Sequence, residues 1–220
     1  MKFFDIFPTF SEAPYSYIVV PIILVCSMIG FYHKPFFHAL ILHPYEIARG
    51  KRIHTLLTSA LIHRNWLHLI FNCVVIFGLG YDMFGNLKQE YGTTIASLFT
   101  PLLFIIMIIL PNLFQYLQEK ENFTHTSIGA SNLTFGLFGF SFLYFPLQPT
   151  QSFIIPFISN SAQYWLAVLL LLILLLTIPK SKINKKLHLI AYLIGSFLAI
   201  ITRPQSFLEI QTLFKIFFLT

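Results

Sequence analysis

Residues 63–80 read HRNWLHLIFNCVVIFGLG, a polar opening that leads into a mostly apolar run. A bilayer core needs about 20 apolar residues per helix, so a run of this kind predicts a membrane span. A polar side chain inside a bilayer costs free energy and is usually retained for a function. Because His63, His68 and Asn72 lie near the start of the run, the stretch predicts a membrane helix with a site at one end.

The composition places the whole chain in a membrane. Of its 220 residues, 56% are hydrophobic and 10% are charged, whereas a soluble domain has about 25% charged residues. The net charge of +6 comes from lysines and arginines between apolar runs, where they more often contact anionic lipid headgroups than nucleic acid. We therefore expect an integral membrane protein with the lipid bilayer as a partner and no nucleic-acid partner.

The apolar runs predict an all-α polytopic membrane protein with six transmembrane helices in one bundle. The predicted spans are about 15–32, 56–80, 93–114, 131–145, 164–178 and 188–201. The chain then divides into an N-terminal segment (1–14), a six-span domain (15–204) and a tail (205–220). Apolar residues at helical spacing in the tail are compatible with an interfacial helix.

Two further polar islands lie at the starts of the fourth and sixth spans. One contains Gly129, Ser131 and Asn132, and the other contains His188. If the chain crosses six times, the even-numbered spans all begin on the same side of the membrane, so the islands can meet at one depth. A serine, histidines and an asparagine in a water-poor setting are the residues that serine acyl-transfer chemistry requires.

Small residues favour close packing of the fourth and sixth spans. Gly139 shares a helix face with Ser131, and Gly195 shares one with His188. Small residues let membrane helices approach closely, so His188 is expected to reach the serine hydroxyl. A hydroxyl needs a base to become a good nucleophile, and histidine has a suitable pKa. Since neither span contains an acidic residue, these helices offer a dyad rather than a triad.

These residues together resemble the signature set of the rhomboid intramembrane serine proteases, and the similarity covers about residues 44–204. The motifs that carry it occur in the family's order and are His63-x4-His68-x3-Asn72, Gly129-Ala130-Ser131 and His188-x2-Ala191-x3-Gly195.

The resemblance implies a role for each residue of these motifs. Ser131 would be the nucleophile and His188 its general base, with His68 and Asn72 forming the oxyanion hole. Two further residues would have supporting roles: His63 would brace the loops near the site, and Phe135 would stack on His188. Gly129 would permit the tight entry to the fourth span.

The resemblance also implies a substrate and a setting. The substrate would be a transmembrane segment of another membrane protein, entering past the fifth span and the 179–187 loop. The chemistry would need no cofactor and no metal. The protein would be a multi-pass protein of a bacterial inner membrane, and the sequence leaves its oligomeric state open.

Three departures from the family pattern bear on the site. Asn132 replaces the usual glycine after the serine, and its side chain would either crowd the oxyanion or add a donor amide. Phe135 replaces a frequent tyrosine, so the ring is kept and the hydroxyl is lost. Ala191 replaces a common glycine, a change of one methyl group.

Two other function classes remain as alternatives. A catalytically inactive relative would bind transmembrane helices without cutting them, and Asn132 is the residue that favours this reading. A small transporter would show broken helices in paired repeats or more buried charges, neither of which the sequence has. A histidine metal site is disfavoured because His63 and His68 would point about 140° apart on one helix.

The orientation in the membrane stays open on sequence grounds. The resemblance implies a catalytic face directed outward, whereas the positive-inside rule favours the opposite. The predicted loops on the catalytic side carry the larger share of the basic residues, which are Lys34, Arg49, Lys51, Arg52, Lys120, Lys180, Lys182, Lys185 and Lys186.

Overall fold

The structure is a computed structural model that describes residues 7–150, 158–178 and 184–219. Its regular elements in these ranges are helices, and strand-like pairing is limited to two isolated bridges, Leu42 with Ser127 and Pro149 with Asn160. The chain forms two compact units, Met1–Thr134 and Phe135–Thr220.

The first unit is built on helix α1, Pro14–Tyr32. After α1 come three short helices, α2 (Lys34–Leu40), α3 (Pro44–Ile47) and α4 (Thr55–Thr58), and a 3₁₀ turn at Ser59–Leu61.

Helix α5, Trp66–Glu119, contains the second and third predicted spans in one 54-residue element. The element is kinked at Gly92, whose φ of +80° and ψ of 168° lie outside the helical region and in a region that glycine adopts readily. The kink separates two arms, residues 66–91 and 93–119, each long enough to cross a bilayer.

The predicted bounds of the second span were wrong at both ends. The helix does not begin near residue 56, because the chain is extended at Ile62 and Asn65 caps a new helix by accepting a hydrogen bond from the His68 amide (2.9 Å). It also continues past Gly80, which is a packing residue: a β-carbon there would lie 2.8 Å from Ser16 Oγ. The helix at the predicted third span ends at Glu119 rather than near residue 114.

Hydrogen bonds from small side chains hold α1 against its neighbours. Ser16 Oγ donates to the Phe77 carbonyl on α5 (2.9 Å), and Ser27 Oγ donates to the Leu61 carbonyl (2.9 Å). Both serines are fully buried. Such bonds, with close approach at small residues, are how helices associate where lipid removes the hydrophobic driving force.

The second unit contains most of α6 (Ser131–Tyr144) together with α7 (Ser161–Thr177), α8 (Lys185–Thr202) and α9 (Gln205–Leu219). Helix α6 agrees closely with the bounds predicted for the fourth span, and α7 and α8 begin three residues before the predicted fifth and sixth spans.

Helices α6 and α8 are in close contact, as their small residues predicted. A β-carbon at Gly195 would overlap the carbonyl oxygen of Gly136, and one at Gly139 would overlap the carbonyl oxygen of Tyr192. Ser196 lies in the same contact, donating to the Tyr192 carbonyl (2.9 Å). Any larger side chain at these glycines would force the two backbones apart.

Hydrogen bonds near the start of α7 connect this helix to α8. Trp165 Nε1 donates to Ser196 Oγ, and the Tyr192 hydroxyl donates to the Trp165 carbonyl, both at 2.8 Å. Beyond this attachment, Leu170 and Leu174 are more than half exposed. The lipid contact that its leucine-rich sequence predicted stays a prediction. The loop expected at 179–187 lies largely outside the described residues.

The tail forms helix α9, which is joined to the end of α8 by an ion pair. Arg203 donates to both carboxylate oxygens of Glu209 and to the Tyr144 carbonyl (3.0 Å), so the turn between α8 and α9 is fixed to the end of α6. Its expected location at the membrane interface stays a prediction.

Three helices in the described residues are long and apolar enough to cross a membrane, namely Pro14–Tyr32, Trp66–Glu119 and Lys185–Thr202, and Ser161–Thr177 is a shorter apolar helix. The chain is therefore a polytopic helical membrane protein, and the count of six spans stays a prediction.

Candidate active site

The turn before α6 presents Ser131 at the first position of the helix. Gly129 has a φ of +107°, which a side chain would strain, and its amide donates to the Ser59 carbonyl (2.9 Å). A β-carbon on Gly129 would also lie 2.6 Å from His68 Cε1. Glycine is thus required at this position by backbone conformation and by the neighbouring ring.

His63 lies in the extended segment before α5 and is fully buried. Its Nε2 accepts a hydrogen bond from the Ala130 amide (3.1 Å), so the ring proton must be on Nδ1, which lies 2.9 Å from Ser27 Oγ. Ser27 in turn donates to Leu61. Burial, with a smaller contribution from the neighbouring His68, lowers the pKa of His63 to about 3. The ring is therefore neutral near pH 7 and can act as this acceptor.

His68 and Asn72 lie one turn apart on the first arm of α5. The His68 ring packs edge-on against His63, with 4.9 Å between ring centroids. Asn72 Nδ2 donates to the His68 carbonyl (2.9 Å), and its Oδ1 accepts from the Thr134 hydroxyl (2.7 Å). The Thr134 bond fixes the Asn72 amide against α6, and Nδ2 carries a second hydrogen that the His68 bond does not use.

Asn132, the residue after the serine, directs its amide nitrogen toward Asn112 on the second arm of α5. The Asn132 Nδ2 atom lies 2.8 Å from Asn112 Oδ1. Sequence reasoning did not include Asn112, Thr134 or Ser27 in the site. The available signal was weak: Asn112 is an amide in an otherwise apolar run.

The second unit contains His188, one turn into α8. Asn184 caps this helix by accepting from the Leu187 amide (3.2 Å). The His188 ring is half-buried and stacks on Phe135, with 4.3 Å between centroids and 21° between the ring planes. The ring that replaces the family's tyrosine thus makes the stacking contact that the resemblance implied.

The candidate residues fall into the two units as follows. His63, His68, Asn72, Gly129 and Ser131 belong to the first unit, and Phe135 and His188 belong to the second. Helix α6 carries both Ser131 and Phe135, four residues apart and so on one face. Within the described residues, no group of three histidine, cysteine or acidic side chains is placed to hold a metal ion.

The fold and these residues define a class: a polytopic helical membrane protein with a serine at a helix start and histidines close to it. The Rhomboid domain family model matches residues 50–205, so the chain belongs to the rhomboid family. Members of this family are generally intramembrane serine proteases, and inactive members exist. A separate comparison of the chain with curated proteins found no match.

Proposed function

We propose that this rhomboid is an intramembrane serine endopeptidase in which Ser131 is the nucleophile and His188 the general base. One observation carries the proposal: the helix that begins with Ser131 holds, one turn later, the ring that stacks on His188. Family membership supplies the reaction class. Glu209 is the acidic residue of the second unit, and it lies in α9 rather than in α6 or α8, which is consistent with a two-residue dyad.

The proposed reaction proceeds in two steps through a covalent intermediate. His188 takes the proton of the Ser131 hydroxyl as the oxygen attacks the scissile carbonyl, and returns the proton to the leaving amine. Water then attacks the acyl-enzyme with His188 again as base. Stacking on Phe135 restricts rotation of the imidazole, which keeps its reactive nitrogen available in one orientation.

The proposed oxyanion hole consists of His68 and Asn72. The second Nδ2 hydrogen of Asn72 and the His68 ring are polar donors on the same face of α5, close to the start of α6. One such donor is typically worth about 3 kcal/mol in the transition state. His63 acts indirectly, because its neutral ring holds the Ala130 amide next to the nucleophile.

The proposed substrate is a transmembrane segment of another membrane protein. The exposed leucines of α7 beyond its attachment to α8 support entry of a helix along this side. The reaction uses water and needs no cofactor. We place the protein in a bacterial inner membrane on the family resemblance, with the orientation of its catalytic face to be measured.

The alternative function is binding of transmembrane helices without cleavage, which Asn132 favours as a departure from the family pattern. The Asn132 amide, however, is hydrogen-bonded to Asn112, so the larger residue has a place in the packing. Reconstitution with a panel of single-span substrates tests both functions. Cleavage by the wild type that Ser131→Ala abolishes supports the protease, whereas retained co-purification without cleavage supports the binding protein.

A further inference from the structure

Two asparagine side chains form a buried pair beside the proposed nucleophile. Asn112 lies on the second arm of α5, and Asn132 follows Ser131 in α6; the two are 3% and 4% exposed. Asn132 Nδ2 donates to Asn112 Oδ1 at 2.8 Å. The bond joins positions 20 residues apart in the sequence, so it connects α6 directly to α5.

The surroundings of Asn112 determine which way both amides point. Asn112 Nδ2 donates to the Leu56 carbonyl (2.8 Å) and to Ser59 Oγ (3.2 Å). A carbonyl oxygen can only accept, so the Asn112 nitrogen must face Leu56 and its oxygen must face Asn132. Asn132 must then direct its Nδ2 toward the Asn112 oxygen, so the orientation of the Asn132 amide is also fixed.

This arrangement leaves one polar atom of Asn132 unsatisfied. Its Oδ1 is buried and has no hydrogen-bond partner among the described residues. Turning the amide over would set Oδ1 against Asn112 Oδ1, oxygen facing oxygen. Leaving a buried acceptor without a protein partner costs about 1–3 kcal/mol, and an apolar pair of the same size would avoid that cost. Stability alone therefore does not account for the two amides.

The pair closes a ring of contacts around Ser131. Ser59 accepts from the Gly129 amide through its carbonyl and contacts Asn112 through its hydroxyl. Asn112 contacts Asn132, and the backbone from Asn132 back to Gly129 completes the ring. The nucleophile is thus held on its N-terminal side by Gly129 and on its C-terminal side by Asn132.

We infer that Asn112 is a positioning residue, which acts through Asn132 to fix the rotation and height of the first turn of α6 and hence of the Ser131 hydroxyl. This inference rests on the proposed function. A displacement of the reacting oxygen by about 1 Å can cost about a hundredfold in rate, so a hydrogen bond at the adjacent residue is well placed to influence catalysis.

The test compares Asn112→Leu, Asn132→Leu and the double variant with the wild type. Leucine keeps the approximate size of asparagine and removes the bond. Ser16→Ala is the matched control, because it removes another buried bond between helices, from Ser16 to Phe77. Each variant is assayed for its rate of labelling by a fluorophosphonate probe, for kcat and KM on a transmembrane substrate, and for Tm.

We expect each single Asn variant to label about tenfold more slowly and to lose kcat with little change in KM. The double variant should lose no more activity than either single variant, because both substitutions remove the same hydrogen bond. Ser16→Ala should lower Tm and leave the labelling rate within twofold. Wild-type labelling rates in the Asn variants, or losses that multiply in the double variant, would overturn the inference and leave the proposed function standing.

Hydrogen exchange separates this inference from the proposed function. If the wild type neither labels nor cleaves, the protease proposal fails, and exchange in a peptide covering residues 128–135 becomes the deciding measurement. Faster exchange there in Asn112→Leu but not in Ser16→Ala supports positioning of this turn, and unchanged exchange overturns it. If Asn112→Leu does not fold, the double variant, which leaves no unpaired amide, carries the same comparison.

Discussion

The candidate residues of the first unit and those of the second make different contacts. In the first unit, polar bonds surround Ser131, including those that His63 and Asn72 make to residues 130 and 134. In the second unit, the His188 ring stacks on Phe135, and the helix that carries it meets α6 in close backbone contact at Gly195. We therefore expect the residues around Ser131 to respond to changes in hydrogen bonding and pH, and those around His188 to respond to changes in side-chain volume.

The largest effect is expected at the contact between α6 and α8. Gly195→Val would place a β-carbon into the Gly136 carbonyl, where backbone and not a flexible side chain must move. We expect little folded protein and less than about 1% of wild-type activity, because overpacking of this kind costs several kcal/mol. Expression yield and Tm measure the loss of folded protein. Gly78→Ala, where a β-carbon meets nothing within 4 Å, should behave as wild type.

The next largest effect is expected on the serine side, at Gly129. Gly129→Ala strains a φ of +107° and pushes on the His68 ring. We expect kcat to fall about a hundredfold, which corresponds to about 2.7 kcal/mol. Gly50→Ala is the control, since Gly50 has a φ of +73° but open space around it. Equal losses in both variants would show that backbone strain, and not the His68 contact, is responsible.

A third prediction concerns pH and applies to His63. The pKa of this ring is lowered to about 3 in the folded protein, against about 6.5 when unfolded. Below pH 6.5 the unfolded chain binds a proton that the folded protein does not, so stability falls as the pH falls toward 3. The loss between pH 7 and pH 5 should reach about 2 kcal/mol, measured by unfolding in detergent.

The variant that checks this pH effect is His63→Gln, which keeps an acceptor for the Ala130 amide and does not titrate. Its stability should change less between pH 7 and pH 5 than that of the wild type. A pH dependence equal to that of the wild type would assign the effect to other groups.

The smallest effect is expected on the base side, at Phe135. Phe135→Leu removes the stacked ring while keeping an apolar side chain, and we expect kcat to fall about tenfold with KM little changed. Phe135→Tyr, which restores the ring with a hydroxyl, should retain at least wild-type activity. A loss of the same size in both variants would show that volume, and not stacking, sets the position of His188.

The sequence predicted the helices best where apolar runs end at capping or turn residues. The bounds of the first and fourth spans agree with the structure to within a residue. The predicted start of the second span was wrong because residues 56–62 are apolar enough to be membrane-spanning. In the structure they form a short helix, a turn and an extended segment. Hydropathy measures apolarity and does not distinguish a span from an apolar segment folded against the protein.

The candidate site itself stays a prediction, and only some of its residues could be proposed from the sequence. Gly129, Ser131 and His188 lie in short motifs whose spacing is visible in the sequence. Asn112 and Thr134 enter the site through bonds to residues 20 and 62 positions away, and such pairs become visible only when the helices are folded together. The stacking of Phe135 on His188 was accessible because the motif implied which residues face each other.

Labelling of the purified, folded protein with a fluorophosphonate probe tests most directly whether Ser131 and His188 form a catalytic dyad. The wild type is compared with Ser131→Ala and His188→Ala. An activated serine with a histidine base predicts that the wild type labels and that neither variant does. Labelling that persists in Ser131→Ala, or its absence from a folded wild type, would contradict the assignment of Ser131 and His188 as a catalytic dyad.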